Sequence, residues 1–349
     1  MTTPLPGTVP VPPQVLEIVR TLTAAGHEAW CVGGALRDAL LGQPEADFDV
    51  ATSATPDQVR RLFARTIAVG EQYGTIGVLD RDRVLHEVTT FRRDVSTDGR
   101  HAVVAFGVSL EDDLARRDFT INALAFQPLT GEWRDPFGGA ADLALGRVRA
   151  VGRADERFRE DYLRILRAVR FAARYALTIE PDTWHAALAA APGLAHLSAE
   201  RVRDEWFKGL RSARSVLALA ELWRDVGAAD IWLPELRLGT MHRRAPLAGA
   251  ADESLSALPR DPVLLTVALM PNAPAVLRRL KASNAEIARA AALVSASLPP
   301  LSGEPAAVRH WLARAGSAAD DSLALHLLTT GMRAPWASAV DEIRSRGDA

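Results

Sequence analysis

Residues 31–52 read CVGGALRDALLGQPEADFDVAT, and two carboxylates, Asp47 and Asp49, stand there one residue apart behind a glycine pair and an Arg-Asp. In a β-strand, residues i and i+2 share a face. A strand over ADFDVAT therefore presents both acids together and turns Phe48 and Val50 into the core. Two unpaired carboxylates that close repel each other, and a divalent cation between them removes the conflict. Magnesium is the expected ion, because it takes hard oxygen ligands and leaves positions for phosphate; manganese is the alternative. Glu87, in the run VLHEVTTF, supplies a third acid if that strand lies beside the first. An isolated D-x-D is more often a solvated strand face, and the upstream context shifts the balance. Gly33-Gly34 lets a phosphate chain approach the backbone, amides at the start of ALRDALL face it, and Arg37 adds a charge-assisted contact. The pattern is neither a Walker P-loop nor a dinucleotide fingerprint. Together these parts describe a nucleotide held by its triphosphate on a Gly-Gly turn, with metals on carboxylates at its α-phosphate.

Outward from this stretch, VLEIVRTLTAAG has helical spacing ending at a glycine, HEAWCVGG reads as a strand running into a turn, and ALRDALL as a short helix. TPDQVRRLF opens with a threonine cap and a proline at the first helical position. YGTIGVLD and VLHEVTTF follow as a hairpin, so the first ninety or so residues predict a small mixed α/β domain. From Ser109 onward the pattern becomes helical, with Ser109 and Asp112 spaced for a capping arrangement. The turn-rich TGEWRDPFGGAADLALG interrupts it, and beyond Glu156 nearly every apolar segment has helical period. The expected organisation is a disordered Pro-rich tail over 1–13, an α/β head over 14–150, a helical neck over 151–215 and a helical body and tail over 216–349.

A chain of 349 residues with 48% apolar content can bury cores in two or three domains without staples. One cysteine, Cys31, excludes a disulfide framework and any cysteine-rich zinc site. The N-terminus has no basic and apolar leader pattern and no later run is long enough to span a membrane, so a soluble cytoplasmic protein is expected. The net charge of −2 hides one patch: between Arg147 and Arg174 nine arginines face four acids, a possible phosphate-facing surface.

Within that patch, RFREDYLRILRAVRFAARY, stepped at about 100° per residue, gathers Phe158, Tyr162, Ile165, Leu166, Val169 and Ala173 into one stripe. Glu160, Asp161, Arg164, Arg167 and Arg170 spread over the other half, which on an anonymous helix is a solvated face laced with ion pairs. Asp161 and Arg164, however, would set a carboxylate beside a planar donor fork, as reading the Watson-Crick edge of a base requires. Arg167 and Arg170 continue toward where phosphates could bind.

With these residues in view, the chain resembles the polymerase-β-like nucleotidyltransferases and, within them, the class II tRNA nucleotidyltransferase and bacterial poly(A) polymerase family. The resemblance rests on five motifs in order: GGALRDALLG with DFDVAT; HEVTTFR; RRDFTINALAF; DPFGGAADLALGRVRAVG; and EDYLRILRAVRF, spanning roughly residues 13 to 180. It implies a head, neck, body and tail fold and two-metal chemistry on Asp47, Asp49 and Glu87. It further implies that Gly33, Gly34 and Arg37 hold the nucleotide's phosphates. Arg117 and Asp118 would approach the nucleotide and Asn122 its sugar, with Arg116 as a neighbouring support. Asp161 and Arg164 would act as a protein template for cytosine or adenine, while Arg167 and Arg170 help bind substrate. The implied partners are the tRNA 3′ end with CTP and ATP. The segment RRDVSTDGRHAVVAFG corresponds to a flexible loop used in switching from C to A. Addition of CCA, CC alone, A alone or a poly(A) tail stays open, as do a non-catalytic RNA-binding relic and a small-molecule nucleotidyltransferase.

Overall fold

The computed structural model describes residues 5–43, 47–97, 102–236, 258–270, 272–295 and 304–330, with isolated positions 255, 340, 343, 345 and 346. The chain divides into two compact units, Met1–Arg164 with Leu177–Ala190, and Ile165–Ala176 with Ala191–Ala349. The division falls inside one helix, between Arg164 and Ile165.

In the first unit the order is α1 (Pro13–Ala24), β1 (Ala29–Val32), α2 (Gly34–Leu40), β2 (Asp49–Thr52), α3 (Pro56–Leu62), β3 (Thr66–Gly70), β4 (Thr75–Leu79) and β5 (Leu85–Thr90). Then come β6 (Arg92–Thr97), β7 (Ala102–Phe106), α4 (Leu110–Ala115), β8 (Ala125–Gln127), β9 (Glu132–Arg134), α5 (Gly139–Ala144), β10 (Arg147–Val148) and α6 (Ala154–Glu160). Helix α7 (Leu163–Tyr175) crosses the division, and β11 (Thr178–Ile179) and α8 (Pro181–Ala190) complete the unit.

Seven strands form one mixed sheet in the order β3-β4-β5-β2-β1-β8-β9, in which β2 and β5 run parallel and every other pair antiparallel. Alternation along the strands sorts the two faces. Val50, Ile76, Val78 and Val88 are buried on one face, the side covered by α1 and α3. Helix α1 contributes Val15, Ile18, Val19 and Leu22 at helical spacing, each worth about 1.5–3 kcal/mol when fully buried. On the opposite face Trp30, Val32 and Ala51 pack with Phe91, Leu110 and Leu114 beneath α4. The capping box expected at Ser109 and Asp112 starts α4, and that at Thr55 starts α3.

Four sequence readings change here. Residues 5–12 are not a loose tail, since Val9 is buried and the Pro6 carbonyl accepts from Trp133 Nε1 at 2.8 Å. Strands β3, β8 and β9 escaped notice. The last two are three residues each, too short to display a period. Strands β6 and β7, within the segment 92–107, pair antiparallel with each other; residues 98–101 lie outside the described residues. The continuous helix expected over 157–175 is broken at Asp161, whose backbone is extended (φ −154°, ψ 106°) and whose Oδ1 accepts from Leu163 N at 3.0 Å. A short carboxylate competing for a local amide is a recognised way to interrupt a helix.

The second unit is helical among its described residues. After α7 come α9 (Ala199–Ser212), α10 (Val216–Asp225) and α11 (Ala228–Trp232), then helices over Pro262–Leu269, Ala273–Arg279, Asn284–Ser295, Pro305–Ala315 and Ala319–Thr330. Trp206 and Trp223 meet edge to face at 5.0 Å in its core, and Trp206 Nε1 donates to Thr266 Oγ1 at 3.1 Å. Most of MHRRAPLAGAADESLSA, expected to belong to the body, lies outside the described residues.

Candidate active site

The chain leaves β1 through Gly33, whose backbone (φ 80°, ψ −138°) is accessible essentially to glycine alone. A Cβ there would stand 3.1 Å from Arg117 Nη1 and 3.6 Å from Asp49 Oδ2. The glycine therefore does two things: it makes the turn, and it lets the guanidinium of Arg117 and the carboxylate of Asp49 approach the backbone. Gly34 begins α2 beneath Arg37, whose Nη2 is 3.3 Å from the position of its missing Cβ.

Arg37 is buried, paired with Asp38 at 2.9 Å, and donates through Nη1 to Asn122 Oδ1. Asn122 Nδ2 in turn donates to Asp118 Oδ1 at 2.9 Å, and that oxygen also accepts from Phe119 N at 2.8 Å. Arg117 Nη1 donates to the Asn122 carbonyl at 3.3 Å. Thus GGALRD and RRDFTIN, some eighty positions apart, interlock side chain to side chain. Asp113 clamps the arginines from behind: it accepts from Arg116 at 2.8 Å and Arg117 at 3.2 Å. Burial works against its charge, and the two guanidinium groups override that and hold its pKa below the ordinary carboxylate value. Arg117 Nε is buried without a partner.

Two of the acids, Asp49 and Glu87, occupy one face of the sheet. Val32 pairs with Asp49 and Val50 with Val88, so continuing the parallel register sets Glu87 beside Asp49. Asp49 carries the electrostatic signature of the group. Burial raises its pKa first, Glu87 and Asp47 raise it further, Arg117 opposes them, and the result is about 6. Asp47 lies just before β2, not within it, and is exposed, as is Glu87. Among the described residues no three acids, histidines or cysteines already close into a ligand shell.

Asp161 and Arg164 sit at the break between α6 and α7. Arg164 donates to Glu160 at 2.6 Å and, through Nη2, to the Arg116 carbonyl at 3.4 Å, while Arg157 Nη1 reaches the Ala115 carbonyl at 3.4 Å. These bonds dock the α6–α7 junction on the end of α4, beside the RRD motif. One turn further along α7, the guanidinium of Arg167 lies over the Phe171 ring at 5.4 Å. Arg170 is buried and its Nε donates to Glu205 of α9 at 2.6 Å. The polar half of the wheel is accordingly not all solvated. At least six of the nine arginines between 147 and 174 are ion-paired, but Asp155 and Glu160 each serve two of them, so only Asp142 and Glu205 add to the four acids already counted and a local excess of positive charge remains.

One set of supporting residues was missed by sequence reasoning. A Cβ at Gly139 would collide with the Thr120 carbonyl, so only glycine lets α5 press against the turn that carries Asn122. Asp135 caps α5 by accepting from Gly139 N at 2.7 Å and Ala140 N at 3.0 Å, and Asp142 accepts from Thr120 Oγ1 at 2.6 Å. The turn-like DPFGG was the available signal, but its partner lies far along the chain.

Comparison with known proteins matches residues 29–149 to the family described as Poly A polymerase head domain, and residues 176–238 to that described as Probable RNA and SrmB- binding site of polymerase A. The CCA-adding enzyme of Geobacillus thermodenitrificans is 47% identical over 213 residues, covering 60% of this chain and 52% of the relative. That of Bacillus subtilis is 45% identical over 211 residues, 60% and 53% respectively. The chain thus spans about half the length of the curated relatives it matches. A crystal structure of the Bacillus stearothermophilus CCA-adding enzyme in complex with CTP superposes with a TM-score of 0.78 at 32% identity, covering 96% of this chain and 83% of that one.

Proposed function

The chain belongs to the family of class II CCA-adding enzymes and poly(A) polymerases, and from that premise we propose that it is a template-independent RNA nucleotidyltransferase adding C and A to the 3′ end of tRNA. The observation that carries the reading is the convergence of Asp49, Gly33 and Arg117 with the Arg37–Asn122–Asp118 chain. An acid held at about 6 by burial and two neighbouring carboxylates is a place where a hard cation relieves repulsion, so the donor set fits Mg2+, or Mn2+, on Asp47, Asp49 and Glu87. Bound there, such ions would activate the attacking hydroxyl and stabilise the leaving pyrophosphate.

The protein's own groups would bind and orient. Gly33, Gly34, Arg37 and Arg117 would hold the triphosphate of CTP or ATP, with Asp118 and Asn122 near the sugar. Asp161 and Arg164 would meet the base edge, Arg164 oriented by Glu160 and the Arg116 carbonyl and Asp161 by the Leu163 amide. Arg167 would contact substrate, and Arg170 would act by tying α7 to α9. The tRNA 3′-oxygen bonds to the α-phosphorus, the bond to the bridging oxygen breaks, pyrophosphate leaves, and the hydroxyl proton ends in solvent. The second unit would carry the acceptor RNA. Among the described residues no helix is long and apolar enough to cross a membrane. Burial pushes the Cys31 thiol up to about 12, leaving it inert, and a cytoplasmic setting suits the reaction proposed.

Labelled CTP and ATP, separately and together, offered to tRNA transcripts ending before the first C, after CC and after CCA, test the reading. C, C and A followed by a stop is the expected result. C alone or A alone would make it a split-activity member, a growing A ladder a poly(A) polymerase, and no product on any acceptor would overturn the enzyme reading.

A further inference from the structure

The row of residues that carries the acids does not end at Glu87. Register pairs Glu87 with Gly77 of β4, and Gly77 with Ile67 of β3. Asp49, Glu87, Gly77 and Ile67 therefore form one line across four strands on a single face of the sheet. Beyond the carboxylates the line turns apolar. Ile67, Val69 and Leu85 are 48%, 45% and 42% exposed, a large fraction for aliphatic side chains on a sheet. Leu85 and Val69 lean over Gly77, where a Cβ would meet Leu85 Cδ1 at 2.5 Å and Val69 Cγ2 at 2.8 Å. The opposite face of the same strands is buried through Ile76, Val78 and Val88, so these three are not part of the core. They form a shelf that begins next to Glu87 and runs to the sheet edge.

The geometry of transfer says what would lie there. Gly33 and Arg117 flank Asp49 on its β1 side, and Glu87 flanks it on the β5 side. In phosphoryl transfer the attacking and leaving oxygens stand in line on opposite sides of the phosphorus. With the triphosphate on the β1 side, the attacking hydroxyl must come from the side of β5, β4 and β3. We infer that the Ile67–Val69–Leu85 shelf receives the ribose and base face of the acceptor RNA's 3′-terminal nucleotide. This rests on the nucleotidyltransferase reading above. Aliphatic contact with a base face is tolerant of base identity, as an acceptor whose last nucleotide changes with every addition demands. The apolar side chains also displace water from beside the attacking hydroxyl.

The test is the double variant Val69→Thr/Leu85→Thr and the single Ile67→Thr. Threonine keeps the β-branching of Val69 and Ile67, and at all three positions it is a residue favoured in strands. Leu145→Thr, exposed in the same unit and outside strands β3 to β5, is the control. Steady-state incorporation of CTP is followed against tRNA transcript concentration, and CTP binding is measured separately without RNA. The shelf variants should lose about tenfold in kcat/KM for the acceptor, with CTP affinity and melting temperature within error of the control. Unchanged acceptor kinetics in active, folded variants would overturn the shelf while leaving the enzyme reading in place. If the double variant does not fold, Ile67→Thr alone decides. No incorporation by the unsubstituted protein would overturn the parent reading and the shelf with it. A dimer in sedimentation that these substitutions dissociate would put a second copy on the shelf and overturn the assignment.

Discussion

Asp49→Asn should make the ion-free protein more stable while abolishing transfer. In the folded chain Asp49 ionises at about 6 against an ordinary 3.8, pushed up by burial and then by Glu87 and Asp47. Each pH unit of displacement corresponds to about 1.4 kcal/mol, so the ionised carboxylate costs at most about 3 kcal/mol. Partial exposure of the site to screening solvent reduces that to the order of 1–2 kcal/mol. The sign follows from linkage. A raised carboxylate favours the fold fully below pH 3.8, and the benefit is lost as pH rises through 6. The variant's advantage should therefore be largest above about pH 7, shrink through pH 6 and vanish near pH 4. Denaturant unfolding of the full chain in chelator across that range reads it directly. Adding MgCl2 at pH 8 should stabilise the unsubstituted protein and leave the variant little changed, because binding to the native state alone adds stability. A variant less stable than the parent in chelator at pH 8, or an advantage independent of pH, would refute the account of Asp49 as an acid held in unrelieved repulsion.

Gly33→Ala should lower stability by about 1–3 kcal/mol, the cost of a side chain in a glycine-only conformation, and raise KM for CTP by moving Arg117, whose Nη1 lies 3.1 Å from the new methyl; thermal melting and nucleotide-dependent kinetics check both. Glu205→Ala removes the buried carboxylate that pairs with Arg170 and should cost about 3–5 kcal/mol. The paired replacement Arg170→Met/Glu205→Leu should regain most of that stability. If it recovers stability but not incorporation, Arg170 serves substrate directly rather than through its ion pair.

How much of this was legible beforehand differs from residue to residue. The D-x-D, the glycine pair and Arg37 lie within one short stretch, where strand alternation and turn chemistry are local rules and the sequence speaks for itself. The short strands β8 and β9 were not legible, because three residues hold less than two periods of alternation. Their existence depends on β1 offering an edge to pair with. The helix break at Asp161 was hidden for a related reason: the apolar spacing of Phe158, Ile165 and Leu166 survives the break, so a wheel drawn through it looks unbroken.

Residue order already holds the chemistry on offer: three acids, a phosphate-tolerant turn and a set of arginines in family order. How those groups constrain one another is a property of the folded chain. Burial, together with the parallel pairing of β2 with β5 that sets Glu87 beside it, raises the pKa of Asp49. Asn122 ties Arg37 to Asp118, and Glu205 takes Arg170 out of solvent. Each effect comes from a partner distant along the chain, and its strength depends on burial and on separations of a few ångströms, neither of which is carried by residue order alone.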